Sequence, residues 1–270
     1  MNIQKLSQRP TVFERIFGIS PQQFKELAAE LEPLWQEAER KRKTDKKRER
    51  MIGAGRKYVL SFDQSLAMHL LYMRTYAPYI FIGVVFCIDD GSVTRYFQKV
   101  RPLLAARMKK IAIKQIPISQ KEILDLIADA TEQETERRDG SGYSGKKKRH
   151  TVKTQIIVNK KGTIQHVSLS VSGNRHDKKL YDETGTKAGM GDLGYVGTEM
   201  ILPYKSSKSH KLSVTQKGAN KKHARARIVV EHVFAALKQF RILSGRWRSS
   251  LAYYNDIFMS IAGLYNLKRA

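Results

Sequence analysis

The stretch TVKTQIIVNKKGTIQHVSLSV, residues 151–171, decides the fold class. Two runs rich in β-branched and apolar residues, 152–159 and 163–171, flank Lys160-Lys161-Gly162, so they read as a β-hairpin. Upstream, ILDLIADA (123–130) is a further apolar run and reads as a buried strand. Downstream, 176–182 reads as a short helix, and 187–192 and 199–204 as short segments, the latter with an apolar centre at Met200-Ile201-Leu202. Residues 224–240 form a long amphipathic helix, and a second follows near 252–268. Strands first and helices after imply an α/β domain over residues 119–270, a mixed sheet flanked by helices.

The chain ahead of this domain reads as all-α. Leu66, Leu70 and Met73 line one face of a first helix, and Ala77-Pro78 breaks it. The apolar YIFIGVVF (79–86) follows, then the turn Asp89-Asp90-Gly91-Ser92 with its capping residue. In the next segment Val93, Phe97 and Val100 share one side, and Thr94, Arg95, Gln98 and Lys99 lie towards the other. A short helix, a turn and a helix with a polar, basic outer face is the helix-turn-helix layout, so residues 59–106 are expected to bind DNA through those four residues. Residues 1–58 hold a helix opened by Ser20-Pro21, with Phe24, Leu27, Ala28, Leu31 and Trp35 at helical spacing. RKRKTDKKRER (40–50), eight basic and two acidic side chains, reads as a solvated linker, with a phosphate-tracking arm as the alternative. Residues 107–118 read as a basic connector.

Fifty Lys and Arg against 25 Asp and Glu give a net charge of +25. Solubility asks for a magnitude of only roughly 2 to 8 in a small domain, so the excess implies a polyanionic partner whose counterions are released on contact. Cys87 is the one cysteine, which excludes a disulfide framework and paired-cysteine zinc sites; within its apolar run it reads as a small buried hydrophobe. The N-terminus has no apolar signal core, and no uncharged run reaches the roughly 18 residues of a membrane helix. The chain is expected to stay in the cytoplasm with nucleic acid and without a membrane partner.

Acids are scarce, which makes their positions informative. Between Glu199 and Glu231 there is none, against six lysines and two arginines. Glu231 lies mid-helix, with Arg227 and Lys238 within about 40° of it at 100° per residue. Asp129 follows an apolar run, and Asp192 sits among glycines in GMGDLGY (189–195); each reads as the end of a strand. Carboxylates supply the oxygen ligands that hard divalent cations need, and two such ions can clamp both oxygens of a phosphodiester displacement. GSGYSGK (140–146) matches the start of a P-loop, but Lys147 stands where Ser or Thr is needed and a strand follows where a helix is needed, so nucleotide hydrolysis is rejected. Asp177 reads as a helix-start cap.

The segments DATE (129–132), YSGKKKRHTVK (143–153), GNRHDKKLYDE (173–183), GDLGYVG (191–197) and RIVVEHVFAALK (227–238) together resemble a bacterial insertion-sequence transposase of the DDE class, closest to its insertion-sequence-five group. The resemblance covers roughly residues 60–268. It implies a ribonuclease H-like sheet with Asp129, Asp192 and Glu231 as the three metal-binding catalytic acids. Two Mg²⁺ or Mn²⁺ ions are implied with them. Asp192, Gly194 and Tyr195 meet the pattern Asp-x-Gly-Phe/Tyr. Arg227, Glu231 and Lys238 meet the spacing Arg-x3-Glu-x6-Lys, while the preceding tyrosine of that pattern is Ala224 here. Lys146, Lys147, Lys148, Arg149 and His150 would hold phosphates near Asp129, and Arg227 and Lys238 near Glu231. The implied partners are double-stranded DNA of the element's terminal inverted repeats and of the target, with a homo-oligomer assembled on them at the bacterial nucleoid. The alternative is a non-catalytic repressor derived from a transposase and acting through residues 59–106.

Overall fold

The computed structural model describes residues 1–44, 57–113, 119–136, 142–145, 147–208 and 211–269. Its centre is the antiparallel pair β1 (Leu126–Glu134) and β3 (Arg149–Asn159), in register from Leu126 opposite Asn159 to Glu134 opposite Thr151. The short β2 (Tyr143–Ser144) pairs with the start of β3. The expected hairpin forms: Asn159 Oδ1 accepts from the Lys161 and Thr163 amides at 3.0 and 2.9 Å, and Gly162 takes φ +79°. Its second arm is two pieces, β4 (Ile164–Val167) and β5 (Val171–Ser172), both antiparallel to β3.

On the other side of β1 the sheet turns parallel. Ile127 bridges Met190, and Met190 bridges Ile201, so the two short segments read from the sequence enter as single bridges. Antiparallel pairing on one side of β1 and parallel on the other is the mixed sheet expected, in the strand order of a ribonuclease H-like fold. Both faces of β3 are buried. Ile127, Val152, Ile156 and Val158 face α9 (Val214–Leu237) and α10 (Leu251–Arg269), through Val230, Val233, Ile257 and Ile261. Leu126, Ala128 and Ile157 face the opposite way, onto Ala188, Tyr195 and Met200, on the side that also carries α8 (Asp177–Thr184).

The front of the chain is helical: α1 (Ile3–Ser7), α2 (Pro10–Phe17) and α3 (Pro21–Thr44), then the three helices of the turn motif, α4 (Phe62–Thr75), α5 (Tyr79–Phe86) and α6 (Asp90–Ala112). Ser20 opens α3 by accepting from the Gln23 amide, as its place before Pro21 predicts. Asp89 caps α6, accepting from the Ser92 amide at 2.7 Å.

Several expectations are corrected. Residues 107–112 are the last turns of α6, because Leu104, Met108 and Ala112 extend its apolar face onto α10. Residues 120–124 form a short helix, α7 (Gln120–Leu124), set by a Ser119/Glu122 capping box, so β1 begins only at Leu126. Asp129 is the fourth of its nine residues and not its end. The helix read from 224 starts at Val214 under a Ser213/Gln216 box. Cys87 is exposed: it ends α5 in the left-handed conformation, φ 56°. Residues 40–44 of the basic run are helical, and 45–50 lie outside the described residues. One core runs through Phe13, Phe17, Leu31, Leu70, Leu104 and Met108 into Ile156, Val230 and Phe258, joining the N-terminal helices, the turn motif and the sheet.

Candidate active site

Asp129 lies on the α9 face of the sheet, two residues beyond Ile127. Its Oδ2 accepts from Arg227 Nη2 at 2.8 Å and its Oδ1 from the Ala130 amide at 2.8 Å. The ion pair is mostly enclosed, with side-chain exposures of 18 and 17%. Burial raises the carboxyl's pKa above the ordinary value; the Arg227 charge and the Ala130 amide oppose that, and the Asp192 charge adds to it. Asp192 stands two residues past Met190 on the segment that bridges β1 in parallel at Ile127, as Asp129 stands two residues past Ile127. Asp192 opens a single 3₁₀ turn, Leu193–Tyr195, by accepting from the Gly194 amide at 2.8 Å. Gly194 is needed there: a Cβ on it would lie 2.6 Å from Asp177 Oδ2 and 2.9 Å from Asp192 Oδ1.

Glu231 is exposed on α9, one turn after Arg227. Among the described residues no three His, Cys, Asp or Glu side chains converge on a common point. Asp129 and Arg227 are thus brought into contact, Asp192 stands at the matching place on the segment bridged to β1, and Glu231 lies one helical turn from Arg227. All three acids carry the carboxylate oxygens that a hard divalent cation takes, but among the described residues only Asp129 is paired in this arrangement, with Arg227 as its counter-charge. Lys238 ends α9, and its ammonium pKa is lowered first by desolvation and then by the like charge of Lys147. Lys148 takes φ 52° just before β3, Arg149 pairs with Glu134 at 2.7 Å, and the His150 ring meets Tyr143 edge-on. Lys146 lies outside the described residues.

The sequence reading missed a buried charge cluster beside these acids. Lys153, 8% exposed, reaches Asp177 at 2.8 Å and Glu132 at 3.4 Å, and donates to the Arg175 carbonyl at 2.7 Å. Asp177 is accordingly not the cap of α8 but its first residue; His176 holds the cap position, and the carboxylate serves the buried lysine. The signal was the register, since Glu132 lies directly opposite Lys153. Tyr195 is fully buried, donates to Gln155 Oε1 at 3.2 Å, and has its phenol pushed far up by burial and then by the charges of Asp129, Asp177 and Asp192.

On the outer side of α6, Arg95 and Gln98 are exposed and Thr94 is half-buried. Arg95 donates to Ser92 Oγ at 2.8 Å. Lys99 is engaged within the protein, pairing with Glu39 of α3 at 2.8 Å.

Comparison with known proteins identifies the family. Residues 128–266 match the family model described as DDE superfamily endonuclease, and residues 58–110 match the helix-turn-helix of DDE superfamily endonuclease. A protein of Microchaete diplosiphon, named as a probable transposase for insertion sequence element IS702, is 31% identical over 100% of this chain and 99% of its own length. A protein of Streptomyces albus G, named as transposase for insertion sequence element IS112, is 26% identical over 88% of this chain and 87% of its own. No solved structure matches the chain significantly. No helix among the described residues is long and apolar enough to cross a membrane. The endonuclease match begins one residue before Asp129 and takes in Asp192, Arg227 and Glu231, and with the full-length relative it establishes that the chain belongs to the DDE superfamily endonucleases, as an insertion-sequence transposase.

Proposed function

We propose that this transposase binds the terminal repeats of its element as duplex DNA and cuts and joins strands at a centre made by Asp129, Asp192 and Glu231. The contact of Arg227 with Asp129 carries the reading, since it ties α9 to β1 beside Asp192, one helical turn from Glu231. The three carboxylates would hold two divalent cations, Mg²⁺ or Mn²⁺. When bound, such ions stabilise charge on the attacking and leaving oxygens of a phosphodiester.

The chain's own residues orient the DNA. Arg227 Nε is buried and has no hydrogen-bond partner among the described residues, so the guanidinium keeps donor capacity beyond its bond to Asp129 for a phosphate oxygen. Lys147, Lys148, Arg149 and His150, with Lys146 of the same basic run, and Lys238 at the end of α9 hold the DNA backbone. Water cleaves the phosphodiester and frees a 3′-hydroxyl, and that hydroxyl then displaces a 3′-oxygen in target DNA. On α6, Thr94, Arg95 and Gln98 read the groove, with Lys99 beside them. Two ends must meet, so the working form is a homo-oligomer on DNA, at the bacterial nucleoid.

The test is cleavage of a labelled duplex carrying the element's terminal repeat, with DNA binding measured on the same samples. Wild type should cut with Mg²⁺ or Mn²⁺ and not with EDTA. Asp129→Asn, Asp192→Asn and Glu231→Gln should each bind and not cut. Binding without cleavage by the wild type in both metals would return the non-catalytic repressor reading.

A further inference from the structure

The basic run beginning at Arg40 is, in its described part, a fixed piece of helix. Glu39, the residue before it, is 7% exposed. It accepts from Arg42 Nη2 at 2.9 Å and from the Tyr58 hydroxyl, and pairs with Lys99 of α6 at 2.8 Å. The Lys99 ammonium also lies 4.4 Å from the centre of the Tyr58 ring. This clamp fastens the end of α3 to α6 one turn past Arg95. Beyond the clamp Arg40 and Lys41 are exposed and Lys43 is half-buried. Among the described residues Arg40 and Lys43 make no ion pair. Lys41 meets Glu37 at 3.0 Å, with both side chains well solvated, a pair worth little in water.

A helix seated in the major groove fills its width of about 12 Å. A second helix packed on it at about 8–10 Å then lies over the groove wall, which is the phosphate backbone. We infer that the last turns of α3, through Arg40, Lys41 and Lys43, are a second DNA-backbone contact flanking α6. The inference rests on the reading of α6 as the groove helix. The competing role for these cations is to complement the dipole at the C-terminus of α3, which would affect stability and leave the salt dependence of DNA binding alone.

The experiment titrates full-length protein onto two labelled duplexes, the element's terminal sequence and a shuffled one, over a range of salt. Each phosphate contact adds about 0.9 to the slope of log K against log salt. Arg40→Ala/Lys41→Ala/Lys43→Ala should flatten the slope by roughly 2–3, equally on both duplexes. The charge-keeping Arg40→Lys/Lys41→Arg/Lys43→Arg should retain the wild-type slope. A flattening smaller than one contact, about 0.9, overturns the inference, as does an equal loss in the charge-keeping variant. Arg95→Ala/Gln98→Ala, run in parallel, should erase the preference for the terminal duplex. If it does, and the triple variant keeps its slope, the α3 contact alone falls. If the preference survives, the α6 reading falls and takes the flanking contact with it.

Discussion

Gly263 on α10 and Gly218 on α9 make a matched pair of glycines inside helices, and replacing each with alanine should move stability in opposite directions. Alanine is the better helix former by about 1 kcal/mol, so propensity alone favours both substitutions. Space decides between them. A Cβ at 218 meets nothing within 4 Å. A Cβ at 263 would lie 2.5 Å from Met108 Cβ, 2.5 Å from the Met108 carbonyl oxygen and 2.7 Å from Met108 Cα. Ordinary contact lies at about 3.5–4.0 Å, so α6 and α10 would have to part by about 1 Å. No side-chain rotation relieves this, because the atoms in the way belong to the α6 backbone and its first carbon. Overpacking of this kind costs about 1–3 kcal/mol, and the upper end applies since Val100, Leu104 and Ala112 move with Met108. Gly263→Ala should therefore lose about 1–2 kcal/mol net, and Gly218→Ala should gain about 0.5–1 kcal/mol. Urea unfolding followed by circular dichroism, with unchanged slopes, reads both. A Gly263→Ala protein as stable as Gly218→Ala would refute the close approach of the two helices and the shared core built on it.

Three further outcomes follow from the charges. Because burial raises the pKa of the Asp129 carboxyl, this group's contribution to stability is greatest below its unfolded pKa and falls as pH rises through its folded one. Asp129→Asn should remove this part of the pH dependence of the metal-free protein's stability while abolishing cleavage; a stability-against-pH curve in EDTA that is the same for both proteins contradicts the burial argument. Glu39 is held down to about 2, so its stabilisation is fully present above the unfolded value of 4.5 and is lost as pH falls through 2. The gap between wild type and Glu39→Gln, at most about 3 kcal/mol at pH 7, should close progressively in acid, and a pH-independent gap argues against the clamp. Lys153→Met strands Glu132 and Asp177 without their buried cation and should cost about 3–5 kcal/mol in thermal or urea unfolding, much of it recovered by adding Glu132→Gln and Asp177→Asn. Failure of that recovery would locate the loss in packing and not in charge.

The sequence by itself determined the parts that depend on near neighbours. Alternation and the Lys160-Lys161-Gly162 turn specified the hairpin, and helical spacing with Ala77-Pro78 and Asp89 specified α4 to α6; the family resemblance named Asp129, Asp192 and Glu231 as the candidate acids. Only the tertiary structure decided who answers each charge. Arg227 comes to Asp129 across 98 positions, Lys99 turns inward to Glu39, and Lys153 disappears between Glu132 and Asp177. It also carried α6 past the expected connector into one core with α10. The reason is that local pattern records which way a side chain points, and a charged residue pointing anywhere reads as solvated. β3 is buried on both faces, so its alternation could not separate a core lysine from a surface one. Burial of a charge is set by which strand and helix come to lie over it, and that is fixed by register and packing between segments far apart in the chain.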